Sequence, residues 1–101
     1  MNFTFSVDES GTMPSAIRLD QNYPNPFNPS TTIHYKLPHS SFVTLSIYNI
    51  LGQQVATLVR ERQQAGDHRV KFRGNGLPSG VYFYRLTSGD VIQTKRLLLL
   101  K

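Results

Sequence analysis

Apolar residues recur at every second position along most of this chain, and no stretch keeps the spacing of a helix for more than two turns. Such a pattern forms strands that are wet on one side and packed on the other. In Ile33-His34-Tyr35-Lys36-Leu37 the odd positions are apolar, and Pro38 ends the run. Val43, Leu45 and Ile47 then share one side of the segment 42–48, with Phe42, Thr44, Ser46 and Tyr48 on the other. Asn49-Ile50-Leu51-Gly52 carries turn residues at both ends and reads as a hairpin leading into the run 54–59. A polar stretch, 61–67, closes on a Gly-Asp turn, after which His68, Val70 and Phe72 alternate with Arg69, Lys71 and Arg73. Breakers crowd 74–80 into a loop, 81–87 is the most aromatic strand, and Ser88-Gly89-Asp90 turns into a last strand at 91–100. With a short strand near 16–19, about seven strands joined at short intervals predict an all-β, two-sheet antiparallel β-sandwich.

A chain of 101 residues fits one core, with residues 1–16 as a linker or the end of a preceding module and residues 17–101 as the domain. There is no cysteine. Disulfides, thiolate metal sites and cysteine nucleophiles are therefore excluded, and packing alone must hold the fold. Truncating Ile47, Tyr84 or Leu98 is predicted to unfold it. The longest apolar run, 97–100, is far short of the roughly 20 residues of a spanning helix, so no membrane span is expected. The first residues offer neither a basic n-region nor an apolar h-region. Either the protein is cytosolic or the chain is a piece of a longer export substrate.

Net charge is +5 and unevenly placed. Arg18 and Lys36 face Asp8, Glu9 and Asp20 in residues 1–59, whereas residues 60–101 hold nine bases against Glu61, Asp67 and Asp90. Arg69, Lys71 and Arg73, with Arg85, Lys95, Arg96 and Lys101, make a patch if their strands are neighbours; a solvated face is the equal alternative. The aromatic run Tyr82-Phe83-Tyr84 is better explained by a core than by base stacking, and no nucleic-acid partner is expected.

Catalytic signals are weak. His34, His39 and His68 fall on separate elements without metal-ligand spacing, and Asp67 and His68, adjacent on a strand, point to opposite faces. Gly74-Asn75-Gly76-Leu77-Pro78-Ser79 leads into a strand, so it lacks the helix N-terminus that a phosphate loop needs. No enzyme activity, cofactor or metal is expected. Tyr23-Pro24-Asn25-Pro26-Phe27-Asn28-Pro29 is a stiff loop, a rigid crossover or a ligand contact. The ending Lys95-Arg96-Leu97-Leu98-Leu99-Leu100-Lys101 reads as a sticky edge strand that either a neighbouring element or a receptor covers.

Four segments taken together resemble one family. They are residues 19–33 with their Pro-rich loop, Tyr48-Asn49-Ile50-Leu51-Gly52-Gln53, Leu77-Pro78-Ser79-Gly80-Val81-Tyr82-Phe83-Tyr84-Arg85-Leu86, and the basic-apolar ending at 95–101. The chain is similar, over about residues 17–101, to the type A C-terminal sorting domain of type IX (Por) secretion substrates. That family is related to the Ig-like domain of flagellar hook-capping proteins, so the resemblance implies that the sandwich is an Ig-like antiparallel β-sandwich of about seven strands. The resemblance implies a non-catalytic module behind an N-terminal cargo in the same precursor. It also implies a Sec-dependent passage to the periplasm, recognition by the outer-membrane translocon and its shuttle protein, and removal by a sortase-like C-terminal signal peptidase. The cargo then reaches the cell surface or is released, and is sometimes joined to lipopolysaccharide. The family's recognition motifs fall on Pro24, Asn25 and Pro26, on Gly80 and Tyr82, and on Lys95, Arg96, Leu97, Leu98, Leu99, Leu100 and Lys101. The ending is expected to dock by strand addition, and cleavage is expected within 1–16. Other classes compatible with the sequence are a cell-surface or carbohydrate-binding module and a self-associating structural Ig-like unit.

Overall fold

A computed structural model describes residues 17–101. The expected linker and cleavage segment, 1–16, lies outside the described residues. Seven strands follow in order: β1 (Arg18–Leu19), β2 (Ser30–Leu37), β3 (Ser41–Tyr48), β4 (Gln54–Gln63), β5 (Gly66–Arg73), β6 (Gly80–Ser88) and β7 (Val91–Leu99). They build two antiparallel sheets, β1-β2-β5 and β4-β3-β6-β7. This is the antiparallel sandwich expected from the alternation, and it is consistent with the Ig-like fold that the resemblance implies. Among the described residues no helix is long and apolar enough to cross a membrane.

The alternating residues become the two inner faces. Ile33, Tyr35 and Leu37 of β2 and Phe72 of β5 are buried from one side, and Val43, Leu45, Ile47, Tyr84, Leu86, Leu97 and Leu99 from the other. Leu45 lies opposite Leu86, Ile47 opposite Tyr84, and Tyr82 opposite Leu97, so cross-strand apolar pairs make the centre of the four-stranded inner face, while Ser88, Gln93 and Lys95 fall at its margins. Strand β4 is longer than its apolar run suggests, because its polar half, through Gln63, still pairs with β3. A bulge between Leu45 and Ser46 shifts that register. Val59 and Ala56 therefore both face inward although they are three positions apart. One expectation fails. Ile47 and Tyr84 are fully buried, but Leu98 is only half-buried on the outer face, and Leu97 and Leu99 take the core positions.

Two buried phenols tie the layers together. Tyr35 donates to Gln63 Oε1. Tyr84 donates to the Asp20 carbonyl at 2.6 Å and accepts the Asn22 N–H at 2.9 Å. Burial pushes both hydroxyls up to about 12. An unfolded phenol titrates near 10, so between these values the native state holds protons that the unfolded chain has lost. Stability is thus whole below about pH 10 and declines toward pH 12, by about 2 kcal/mol per tyrosine. Urea midpoints recorded at about pH 9 and about pH 11 should show this drop, and Tyr84→Phe should make it smaller. An equal drop in the variant would remove Tyr84 from the account.

Candidate functional site

The Pro-rich loop leaves β1 and joins β2, but on the way it touches the other sheet. Asp20 N donates to His34 O at 2.9 Å, and Tyr23 and Thr32 exchange backbone hydrogen bonds at 3.0 and 2.9 Å. Asn22 is buried, and its Nδ2 donates to Thr31 Oγ1 at 3.0 Å and to the Pro24 carbonyl at 3.1 Å. Thr31 Oγ1 also donates to that carbonyl at 2.8 Å. The peptide bonds preceding Pro24, Pro26 and Pro29 are cis. Anchored this way on β2, the loop reaches β7.

Its contacts there run along the outer edge of β7. Gln21 Nε2 donates to Arg96 O at 2.7 Å, and Leu98 N donates to Asn25 Oδ1 at 3.0 Å. Phe27 N donates to Leu98 O at 2.9 Å, and Leu100 N to Phe27 O at 3.0 Å, which makes a parallel bridge between Phe27 and Leu99. Buried Phe27 then packs on Phe72, ring centroids 5.8 Å apart. The sticky edge is therefore covered by a neighbouring element. From Arg96 to Leu100 its outward main-chain groups are occupied, and docking there by strand addition requires the loop to leave.

On its other side the ending pairs with the second motif. Gly80 lies opposite Leu99, Val81 opposite Leu98 and Tyr82 opposite Leu97. Gly80 has φ 151, a backbone conformation that side-chain-bearing residues rarely adopt, with open space around it. Glycine is thus required here for its backbone. Buried Tyr82 donates to Pro78 O at 2.7 Å, and Lys101 N donates to Ser79 Oγ at 3.0 Å. The three motifs form one corner. It presents a shallow groove of about 330 Å³ between Asn25 and Pro26, Val81, and residues 96–98. Leu97 and Leu99 point inward with 0% exposure, Leu100 is 48% exposed, and Arg96 and Lys101 are exposed. Lys95 is partly covered on the inner side of the edge strand.

Gly74 also belongs to this corner, and sequence reasoning treats it only as one breaker among several. A methyl group there would lie 2.9 and 3.0 Å from the two terminal carbons of Leu99 and 3.2 Å from the Phe27 ring. Both neighbours are buried and have no room to swing aside. Gly74→Ala is expected to cost about 1–3 kcal/mol in a urea melt and to speed amide exchange at Leu100. Unchanged exchange at Leu100 would separate Gly74 from the seating of the ending.

The cations do not form one patch. Arg69, Lys71 and Arg73 lie on the outer face of the three-stranded sheet, whereas Arg85 and Arg96 lie on the outer face of the four-stranded sheet. His34 sits between two acids, its Nδ1 2.6 Å from Asp20 Oδ2 and its Nε2 3.1 Å from Asp67 Oδ1. The His34 hydrogen bond, aided by Arg18 and opposed by partial desolvation, holds the Asp20 carboxyl below its ordinary value. These three groups lie on β2, on β5 and just past β1, which makes them a lateral brace across the small sheet. His68 stacks on Tyr35 at 5.3 Å.

Residues 21–100 match the family model for the secretion system C-terminal sorting domain. The chain belongs to this family. No curated protein and no solved structure matches it. The sorting domain is a type IX secretion signal, which implies secretion machinery as its partner and a cargo in the same precursor. Its destination is the cell surface or the extracellular space, and families of sorting signals are generally non-catalytic. The matched stretch opens at Gln21 and closes at Leu100, the two ends of the hydrogen-bonded seam between loop and β7.

Proposed function

We propose that this sorting domain, residues 17–101, carries an N-terminal cargo from the periplasm across the outer membrane, and that the translocon and its shuttle protein read the corner built by Pro24, Asn25, Pro26, Gly80, Tyr82 and residues 95–101. The precursor enters the periplasm by a Sec signal. A sortase-like peptidase then cuts within 1–16 during surface attachment or release. The sandwich is related to the Ig-like domain of flagellar hook-capping proteins. The observation that supports this reading is the convergence of three motifs, far apart in sequence, on one exposed corner. Within that corner Leu97, Leu99, Gly80 and Tyr82 act by holding the shape, while Asn25, Pro26, Arg96, Leu100 and Lys101 offer the accessible surface.

The test is a reporter bearing a Sec signal and fused to this chain, in hosts with and without the type IX translocon. Surface delivery is expected only with the translocon. Leu100→Asp and Lys101→Glu, both at exposed positions, are expected to leave the melt intact and retain the reporter in the periplasm. Delivery independent of the translocon, or undiminished in both variants, would overturn the proposal.

A further inference from the structure

The outer face of the four-stranded sheet differs in chemistry from that of the three-stranded sheet. On β4 it presents Arg60 and Arg62, on β6 Arg85 and on β7 Arg96, by the alternation and register of these strands. Phe42 stands opposite Arg62, Tyr48 opposite Phe83, and Phe83 opposite Arg96. By register no lysine, aspartate or glutamate falls on this outer face, Lys95 and Glu61 alternating to the inner side although Glu61 is exposed on edge strand β4, and none of the four arginines forms an ion pair among the described residues. The three-stranded sheet instead interleaves lysine and arginine with histidine and aspartate, and the ion pairs of the described residues, Arg18–Asp20, His34–Asp20 and His34–Asp67, all lie there. Arginine and aromatics without lysine or acids is the composition of a protein-binding surface, and lysine mixed with acids that of a solvated one.

Geometry adds to composition. The Arg85 guanidinium carbon lies 4.8 Å from the centroid of the Tyr48 ring, which holds the group against the sheet. Beside it a groove of about 200 Å³ runs between Tyr48, Phe83 and Thr94 to Ile50, which is 71% exposed at the hairpin tip. Arg96 belongs to this face and also lines the motif corner, so the two surfaces are continuous. Four unpaired guanidiniums without a carboxylate attract carboxylates, which they bind in bidentate fashion. Stacked bases are a poorer fit, because Arg85 covers the Tyr48 ring and Phe83 is half-buried.

We infer that the outer face of the four-stranded sheet is a second docking surface, for an acidic protein surface of the secretion machinery. This rests on the sorting reading above. The test titrates the labelled full chain with detergent-solubilised type IX outer-membrane translocon. Arg85→Gln with Arg96→Gln, and separately Arg60→Gln with Arg62→Gln on β4, are expected to weaken binding about tenfold or more. Arg69→Gln with Lys71→Gln removes equal charge from the opposite sheet and is expected to change it less than about twofold. Binding of the native chain should also weaken as salt rises.

Native affinity in both four-stranded-sheet pairs, or equal losses from the two sheets, would overturn the inference. So would equally tight binding to phosphatidylglycerol vesicles or to single-stranded RNA that the same variants lose, since the face would then serve a lipid or a nucleic acid. If the native chain neither binds the translocon nor exports the reporter, the sorting reading itself fails. If it does both and the variants do too, only the docking surface fails.

Discussion

Deleting residues 97–101 is expected to abolish the cooperative melt of the sorting domain, and export of a fused reporter with it. Leu97 and Leu99 are both fully buried, and removal of a buried leucine side chain costs about 2–5 kcal/mol. The deletion also strips Phe27 and Asn25 of their partners on β7 and leaves the first residues of β6 unpaired. Total stability for a domain of this class is about 5–15 kcal/mol, so the losses rival the whole. Circular dichroism on heating, run beside the fractionation assay, checks this. A truncated chain that still melts sharply yet stays in the periplasm would make the ending a detachable label instead. The exposed variants at Leu100 and Lys101 are therefore the informative ones for recognition.

Replacing Tyr84 with alanine is expected to cost about 3–5 kcal/mol from the ring alone, with a further penalty for the polar groups it leaves behind. Its hydroxyl is the shared partner of Asp20 O and Asn22 N, just ahead of the Pro-rich loop. Tyr84→Phe keeps the ring and orphans both main-chain groups, an expected loss of about 1–3 kcal/mol. Urea denaturation of the pair separates the two contributions. Because the hydroxyl fastens the loop to the four-stranded sheet, Tyr84→Phe should also quicken amide exchange at Leu98 and Leu100. A phenylalanine variant as stable as the native chain would show that water replaces the hydroxyl, and would remove Tyr84 from the positioning of the corner.

Much of this was legible in the sequence because a strand with one buried face writes its period directly into the residues, as in β2, β3 and β6. Where the writing breaks, so did the reading. Four consecutive leucines carry no alternation, and only the pairing of Tyr82 with Leu97 decides that Leu97 and Leu99 face inward and Leu98 does not. The polar half of β4 resembles a turn because an edge strand needs few apolar residues. The Pro-rich loop was recognisable as a stiff crossover, but its bond to Leu98 joins positions far apart in the chain, for which no local pattern exists. Grouping the cations on β5 with those on β6 and β7 required the strand order, and that order puts β5 in the other sheet. Gly74 had no signal at all, since only the approach of Leu99 and Phe27 distinguishes it from an ordinary loop glycine.

The seam between the loop and β7 has a consequence for synthesis. Ribosomes make Leu97 and Leu99 after every other buried residue of the sandwich, and the loop finds its partners on β7 only once they exist. A message broken before that point yields a precursor whose corner never assembles. If the translocon reads the corner as proposed, its display certifies that translation has run past Leu99, and unfinished cargo is expected to stay behind without a separate proofreading factor.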